Sequence, residues 1–383
     1  MQLSETVKVY LTADQKTLVN QAMHDYINLV NSLVDGAVNG LDIRKLTSAK
    51  VSANLPSSIK CQGIRDANSV YKKYTKRCHD TDKKRQFYQT KGINAKIKDP
   101  KVPELKKPCF FVNNQNFKIK EDCIEFPMMV NGKSKRIAVK TKLTDRQKQR
   151  FSDTKFGTMR VIQKNGQILI QVVYEIPEPD LNTSGIAMGV DLGIKCPAVS
   201  YTGNGNVKFY GNGRKNKYIR RHYAKLRKKL QNAKKMKAVK RINNKEQRIM
   251  KDIDHKISRE IIETARKQNV AVIRLELLKN IRNKTKQTNK KKTRTSRKNN
   301  KNTHSWSFYR LSQYIEYKAR LAGIKVEYVN PAYTSKTCPV CGSINEAEDR
   351  KYSCDCGYHA HRDVVGAINI KNSTEYTGNR CIA

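Results

Sequence analysis

Acidic residues are scarce in this 383-residue chain: 33 Asp and Glu stand against 78 Lys and Arg, a formal charge of +45 at pH 7. Tryptophan occurs once, and no apolar run reaches the roughly 18 residues that a membrane span needs. The opening MQLSETVKVYLT lacks the apolar stretch of a secretion signal. A membrane or secreted protein is therefore not expected. So one-sided a charge costs the free chain self-repulsion, which a polyanion relieves, so the composition points to a cytoplasmic nucleic-acid binder. The length exceeds what a single core usually fills, which predicts several domains.

Cysteine is present but not in a disulfide pattern. Cys61, Cys78, Cys109, Cys123, Cys196 and Cys381 are far apart, and only Cys338, Cys341, Cys354 and Cys356 cluster. That distribution predicts reduced thiols plus one metal knuckle.

Along the chain, Thr12 and Gln15 have capping-box spacing, and Leu18, Val19, Ala22, Met23, Tyr26, Ile27, Val30 and Leu33 then recur at helical intervals. A second basic helical stretch carries Ile64, Ala67, Val70, Tyr71 and Tyr74, and a lysine-rich polar run follows to about Pro108. From Phe110 to Ile176 the period falls to two, with Asn131-Gly132 and Asn165-Gly166 as hairpin turns, which predicts a β-barrel or sandwich-like unit. Residues 7–12 read as one more strand of that sheet, making the helical unit an insertion into it.

A third domain is expected from about Ile186: an apolar strand ending at Asp191, a hairpin at 203–205, basic helices over 214–268, and the strand VAVIRL before Glu276. An isoleucine stripe (Ile242, Ile249, Ile253, Ile257, Ile261) reads as core packing. Residues 279–302 hold eleven Lys or Arg and no acid, and are expected to form a mobile basic loop. A helix and a strand then precede the cysteine cluster, and a short helix surrounds Asp363.

Asp191 and Glu276 each end an apolar strand, and Asp363 lies near a helix start. Each acid alone is an ordinary surface or capping residue. Brought together at a sheet rim, three carboxylates repel one another unless cations sit among them, and hard oxygen donors suit Mg²⁺ or Mn²⁺. A pair of such ions can activate water for phosphodiester hydrolysis. Cys338-x-x-Cys341 and Cys354-x-Cys356 supply four thiolates, enough for one closed, structural Zn²⁺ site, the bland alternative being four free thiols. The Lys and Arg residues over 207–259 can follow phosphates without reading bases. Tyr10, Tyr71, Tyr74, Phe110 and Phe111 are either core residues or stacking surfaces for nucleotides.

The segments GVDLGIK at 189–195, VAVIRLELL around Glu276, and YTSKTCPVCG followed by CGYHAHRDVVGAINI resemble the three RuvC motifs and zinc knuckle of the transposon-encoded TnpB (OrfB) family, related to compact type V CRISPR effectors. DHKISREIIETAR, WSFYRLSQYIEYKARLAGIKVEYVNPAYTS and, more weakly, LPSSIKCQGIRDANSVYKKY extend the resemblance over most of the chain.

The resemblance implies a bilobed, multidomain α+β protein. Its parts would be a β-barrel wedge (1–12 and 108–180), an inserted helical recognition unit (13–107), an RNase H-like RuvC domain (181–334 and 358–383) and a zinc knuckle (335–357). It further implies an RNA-guided DNA endonuclease with Asp191, Glu276 and Asp363 as catalytic Mg²⁺ ligands. The partners would be a guide RNA and double- and single-stranded DNA, in a monomeric ribonucleoprotein of the prokaryotic cytoplasm that joins the nucleoid when engaged. A type V CRISPR effector is the near alternative; a guide-independent transposase or structure-specific nuclease and a cleavage-dead repressor are more distant ones. Where the family's third motif reads D-R-D-x-N-A-A-x-N, His361 replaces the first acid and Val365 the first Asn. The second cysteine pair has one intervening residue where the family usually has two, with His359 and His361 as spare donors.

Overall fold

The computed structural model describes residues 1–152, 154–242, 244–278 and 293–373. It divides into two compact units, Met1–Pro177 and Glu178–Ala383.

The first unit opens with β1 (Gln2–Tyr10), and Thr12 caps α1 (Ala13–Val38) through reciprocal bonds with Gln15. Such a cap is worth about 1 kcal/mol. The buried stripe of α1 (Val19, Met23, Tyr26, Val30 and Val34) packs on α2 (Ser57–Thr90). The two helices approach closely at Gly63, where a Cβ would come within 2.9 Å of a Leu29 methyl. No residue of α2 beyond Ala67 is buried.

Six further strands follow: β2 (Cys109–Val112), β3 (Lys118–Ile119), β4 (Cys123–Val130), β5 (Lys133–Thr141), β6 (Phe156–Lys164) and β7 (Gln167–Glu175). The β4–β5 and β6–β7 turns place Asn131, Gly132, Asn165 and Gly166 at positive φ, the double left-handed geometry that Asn-Gly hairpins require. The sheet order is β2-β6-β7-β1-β5-β4-β3. Its outer strands, β2 and β3, are not paired with each other, so of the barrel or sandwich-like unit expected no closed barrel is seen among the described residues. Period-two alternation fixes which face is buried but carries no information on closure. A short helix, α3 (Asp145–Phe151), capped by Thr144, joins β5 to β6 where no element was expected.

The second unit is built on a five-stranded sheet of order β10-β9-β8-β11-β12. The strands β8 (Ile186–Asp191), β9 (Ala198–Tyr201) and β10 (Val207–Tyr210) pair antiparallel. β11 (Val270–Glu276) and β12 (Lys325–Val329) continue from β8 in parallel. Between β10 and β11 run α4 (Gly213–Asn232), α5 (Met236–Ile242) and α6 (Lys245–Lys267). Of the isoleucine stripe, Ile257 and Ile261 are buried against the sheet and Ile253 packs on the core from its edge.

Residues 279–292 of the expected basic loop, and Cys381 with the rest of 374–383, lie outside the described residues. The downstream part of that run is helical instead, as α7 (Arg294–Ser305). Lys and Arg are good helix formers, and a run without apolar residues can still coil. After it come α8 (Phe308–Arg320), the hairpin β13 (Lys351–Ser353) and β14 (His359–His361), and α9 (Arg362–Asn372). No helix among the described residues is long and apolar enough to cross a membrane.

Candidate active site and metal centre

In the parallel pair, Val190 lies opposite Leu275. Asp191 and Glu276 therefore end adjacent strands at the same edge of the sheet. Helix α9 crosses β8 and brings Asp363, in its first turn, to the same place. The glycine of GVDLGIK makes that crossing possible: a Cβ on Gly189 would lie 2.1 Å from the Ala367 carbonyl oxygen. On the facing helix Gly366 sits against Asp191, with Oδ2 only 3.3 Å from where its Cβ would be. Asp191, Glu276 and Asp363 line one open cavity of about 450 Å³, together with Thr334, Ser335, Trp306, Arg350 and Arg362.

Burial first, then repulsion from Glu276 and Asp363, pushes Asp191 well above the usual carboxylate range, although Arg350 and Arg362 oppose this. Glu276 is also raised by burial, against the Thr334 hydroxyl that donates to Oε1 at 2.5 Å. Arg350 donates to Asp363 Oδ1. The other oxygen, Oδ2, is buried without a hydrogen-bond partner. A buried orphan carboxylate oxygen beside two carboxyls that resist ionisation is a donor set that fits a hard divalent cation.

His361 is the N-cap of α9: its Nδ1 accepts from the Asp363 backbone N–H at 3.2 Å. The imidazole thus supplies the capping acceptor that an acid would otherwise provide. Val365 is fully buried and packs with Cys338, Tyr352 and Cys354, so this departure from the motif joins a small core beneath the cysteines.

The four clustered cysteines come together. Every Sγ lies within 4.8 Å of the others, with Cys338 and Cys356 at 3.6 Å and Cys341 and Cys354 at 3.4 Å. Four sulfurs about 2.3 Å from one ion are spaced about 3.8 Å apart, so the cluster could hold a tetrahedral metal. The single residue between Cys354 and Cys356 does not keep the second thiol away, because a turn closed by Gly357 N–H to Cys354 O folds it back. Neither His359 nor His361 belongs to the cluster.

Thr334 and Arg350 were not singled out from the sequence. Thr334 lies four residues before Cys338 in YTSKTC, and Arg350 lies between the two cysteine pairs. Proximity to the cysteines was the available signal. Of the aromatic residues considered for stacking, Phe110 is core, Phe111 packs on Tyr26 and under Arg160, Tyr71 packs against the core edge, and Tyr10 is exposed.

Two family models match: one described as a probable transposase over residues 171–282, and one as a Cas12f1-like TNB domain over 308–370. The first spans Asp191 and Glu276; the second spans the cysteines and Asp363. A solved structure, a Cas12f1–sgRNA–target DNA complex, aligns with a TM-score of 0.61 over 94% of this chain and 81% of that one at 16% identity, so the chain shares the fold of that effector. Among curated relatives, a TnpB-like protein of Methanocaldococcus jannaschii is 36% identical over 170 residues, covering 42% of this chain and 58% of its own length. The CRISPR-associated endodeoxyribonuclease Cas12f1 of Sulfoacidibacillus thermotolerans is 33% identical over 36% of this chain and 30% of its own. The chain belongs to the TnpB (OrfB) family, related to those effectors. It spans little more than half of the first relative and under a third of the second.

Proposed function

We propose that the protein is an RNA-guided DNA endonuclease of the TnpB type, cleaving phosphodiester bonds at one RuvC-like site made by Asp191, Glu276 and Asp363. The observation that carries the reading is the convergence of these three carboxylates on one cavity, with an orphaned Asp363 oxygen facing two acids whose charging is disfavoured.

The acids would hold two Mg²⁺ ions, whose chemistry is to lower the pKa of a bound water and stabilise the leaving oxygen. The chain's own residues do the rest. Gly189 and Gly366 let α9 approach so that Asp363 meets Asp191. Arg350 and Arg362 at the cavity wall offer guanidinium groups to a backbone phosphate. Cys338, Cys341, Cys354 and Cys356 would bind a structural Zn²⁺ with no open position. We assign 1–12 and 108–180 to a wedge, 13–107 to a recognition unit, 181–334 and 358–383 to the nuclease domain, and 335–357 to the knuckle.

The guide rests on family membership and on charge. A surplus of 45 positive charges suits a long folded RNA, and base pairing would then supply sequence choice, while the protein reads duplex shape and a short flanking motif.

The test is to express the protein with its native flanking DNA, sequence the co-purifying RNA and challenge a plasmid library with Mg²⁺. One dominant RNA whose variable end matches the cut plasmids is the expected result. Heterogeneous RNA with cutting that ignores sequence would instead favour a structure-specific nuclease, and no cutting would favour an inactive binder.

A further inference from the structure

Glu276 reaches the cavity on a side chain with one more rotatable bond than either aspartate, so something must fix its carboxylate. That contact comes from the turn before the cysteines. The Thr334 hydroxyl donates to Glu276 Oε1 at 2.5 Å, and Thr334 itself is 9% exposed. The preceding Tyr333 adopts a left-handed φ of 58°, which turns the chain just ahead of Thr334. The turn is in turn anchored: Asn369 Nδ2 donates to the carbonyl oxygens of both Thr334 and Thr337, each at 2.7 Å. Asn369 lies on α9, the helix that carries Asp363.

We propose that Thr334 is a positioning residue for Glu276, with Asn369 holding the turn in place. Helix α9 then sets two of the three acids, Asp363 through its own first turn and Glu276 through Asn369 and Thr334. The hydroxyl occupies Oε1 and leaves Oε2 for the cation. This inference rests on the reading of the three acids as a divalent-metal site.

The experiment measures Mn²⁺ binding by electron paramagnetic resonance on full-length, zinc-loaded protein, without guide or substrate. Wild type, Asp191→Ala, Thr334→Val and Thr334→Ser are compared. Valine keeps the shape and removes the hydroxyl, and is expected to weaken Mn²⁺ binding about tenfold or more, the scale of a lost hydrogen bond to a charged group. Serine keeps the hydroxyl and is expected to stay close to wild type. If Thr334→Val loses zinc or melts early, Thr334→Ala is read in its place. Wild-type affinity in the hydroxyl-less variant, or equal weakening in the serine variant, overturns the role of Thr334. Absence of any Mn²⁺ binding that Asp191→Ala abolishes would instead overturn the metal-site reading itself.

Discussion

Arg350 reaches from the cysteine-bearing insert to Asp363 and donates to the oxygen that does not lie orphaned. Its neighbour Asp349, at a left-handed φ of 50°, is gripped by Lys195 Nζ at 2.6 Å, just beyond the strand that ends in Asp191. The insert thus meets the segment after β8 through Asp349 and helix α9 through Arg350. Arg350→Ala is expected to slow cleavage about a hundredfold, the scale of removing one preorganised donor from a reacting centre, with RNA binding unchanged. Arg350→Lys should recover only part, since an ammonium lacks the planar fork. Single-turnover cleavage measures both, and an unchanged rate in the alanine variant would make Arg350 a bystander.

If the four thiolates hold zinc as proposed, removing it should release the turn that carries Arg350, because ligand and fold energies are shared in so small a unit. Zinc release by a chelator and loss of cleavage are expected to run in step. Cys356→Ser should lose zinc outright, whereas His361→Ala should keep it and lose only the α9 cap, about 0.5 to 2 kcal/mol. Zinc retained by the serine variant would point to a donor other than Cys356.

Burial raises the pKa of both Asp191 and Glu276, so their ionised forms are disfavoured in the folded chain. Asp191→Asn removes a carboxyl whose ionisation burial, Glu276 and Asp363 all oppose. In EDTA it is expected to raise stability by roughly 0.5 to 2 kcal/mol, while abolishing cleavage. A divalent ion at a hundred times its dissociation constant should add about 2.7 kcal/mol to the wild type and little to the variant. Thermal melts with and without Mg²⁺ decide this, and a variant less stable than wild type in EDTA would count against the repulsion.

Lys318 offers a pH test away from the acids. Burial, and then the nearby Arg259, lower its pKa to about 8, with Glu263 opposing, and its ammonium bonds Ser258 Oγ and the His255 carbonyl. Between that value and the ordinary lysine range the unfolded chain binds more protons than the folded one, so stability from this group rises with pH across that window. Urea denaturation at pH 7.5 and pH 9.5 should show a gain in wild type that Lys318→Met reduces. Equal gains in both would mean that Lys318 titrates normally.

Much of the candidate site was legible in the sequence, because Asp191 and Glu276 end apolar strands and the four cysteines announce themselves by spacing. Thr334 and Arg350 were not. Both act through the path of the insert, which folds back over the sheet edge, and neither residue type nor interval records that path. Closure of the first sheet was illegible for a related reason: alternation along β2 to β7 marks a buried face, whereas closure depends on strand order and shear. The loop expected over 279–302 became helix α7 from Arg294 onward, since lack of apolar residues argues against a core but not against coiling. The motif departures at His361 and Val365 made sense only in place, one as a helix cap and the other as the floor beneath the cysteines.

The position of β1 sets a timetable. It is the first strand in the chain yet lies inside the seven-stranded sheet, with Gln2 opposite Glu175 and Val9 opposite Thr141. On a ribosome adding roughly 5 to 20 residues each second, its β7 partner emerges about 10 to 30 s later. During that wait the α1–α2 pair can form from local contacts and β5 can take the Val9–Tyr10 end of β1, while residues 2–8 stay open to whatever other strand they meet. Synthesis therefore runs against the order of sheet assembly, and the first unit completes only when β7 arrives to close over a strand made long before.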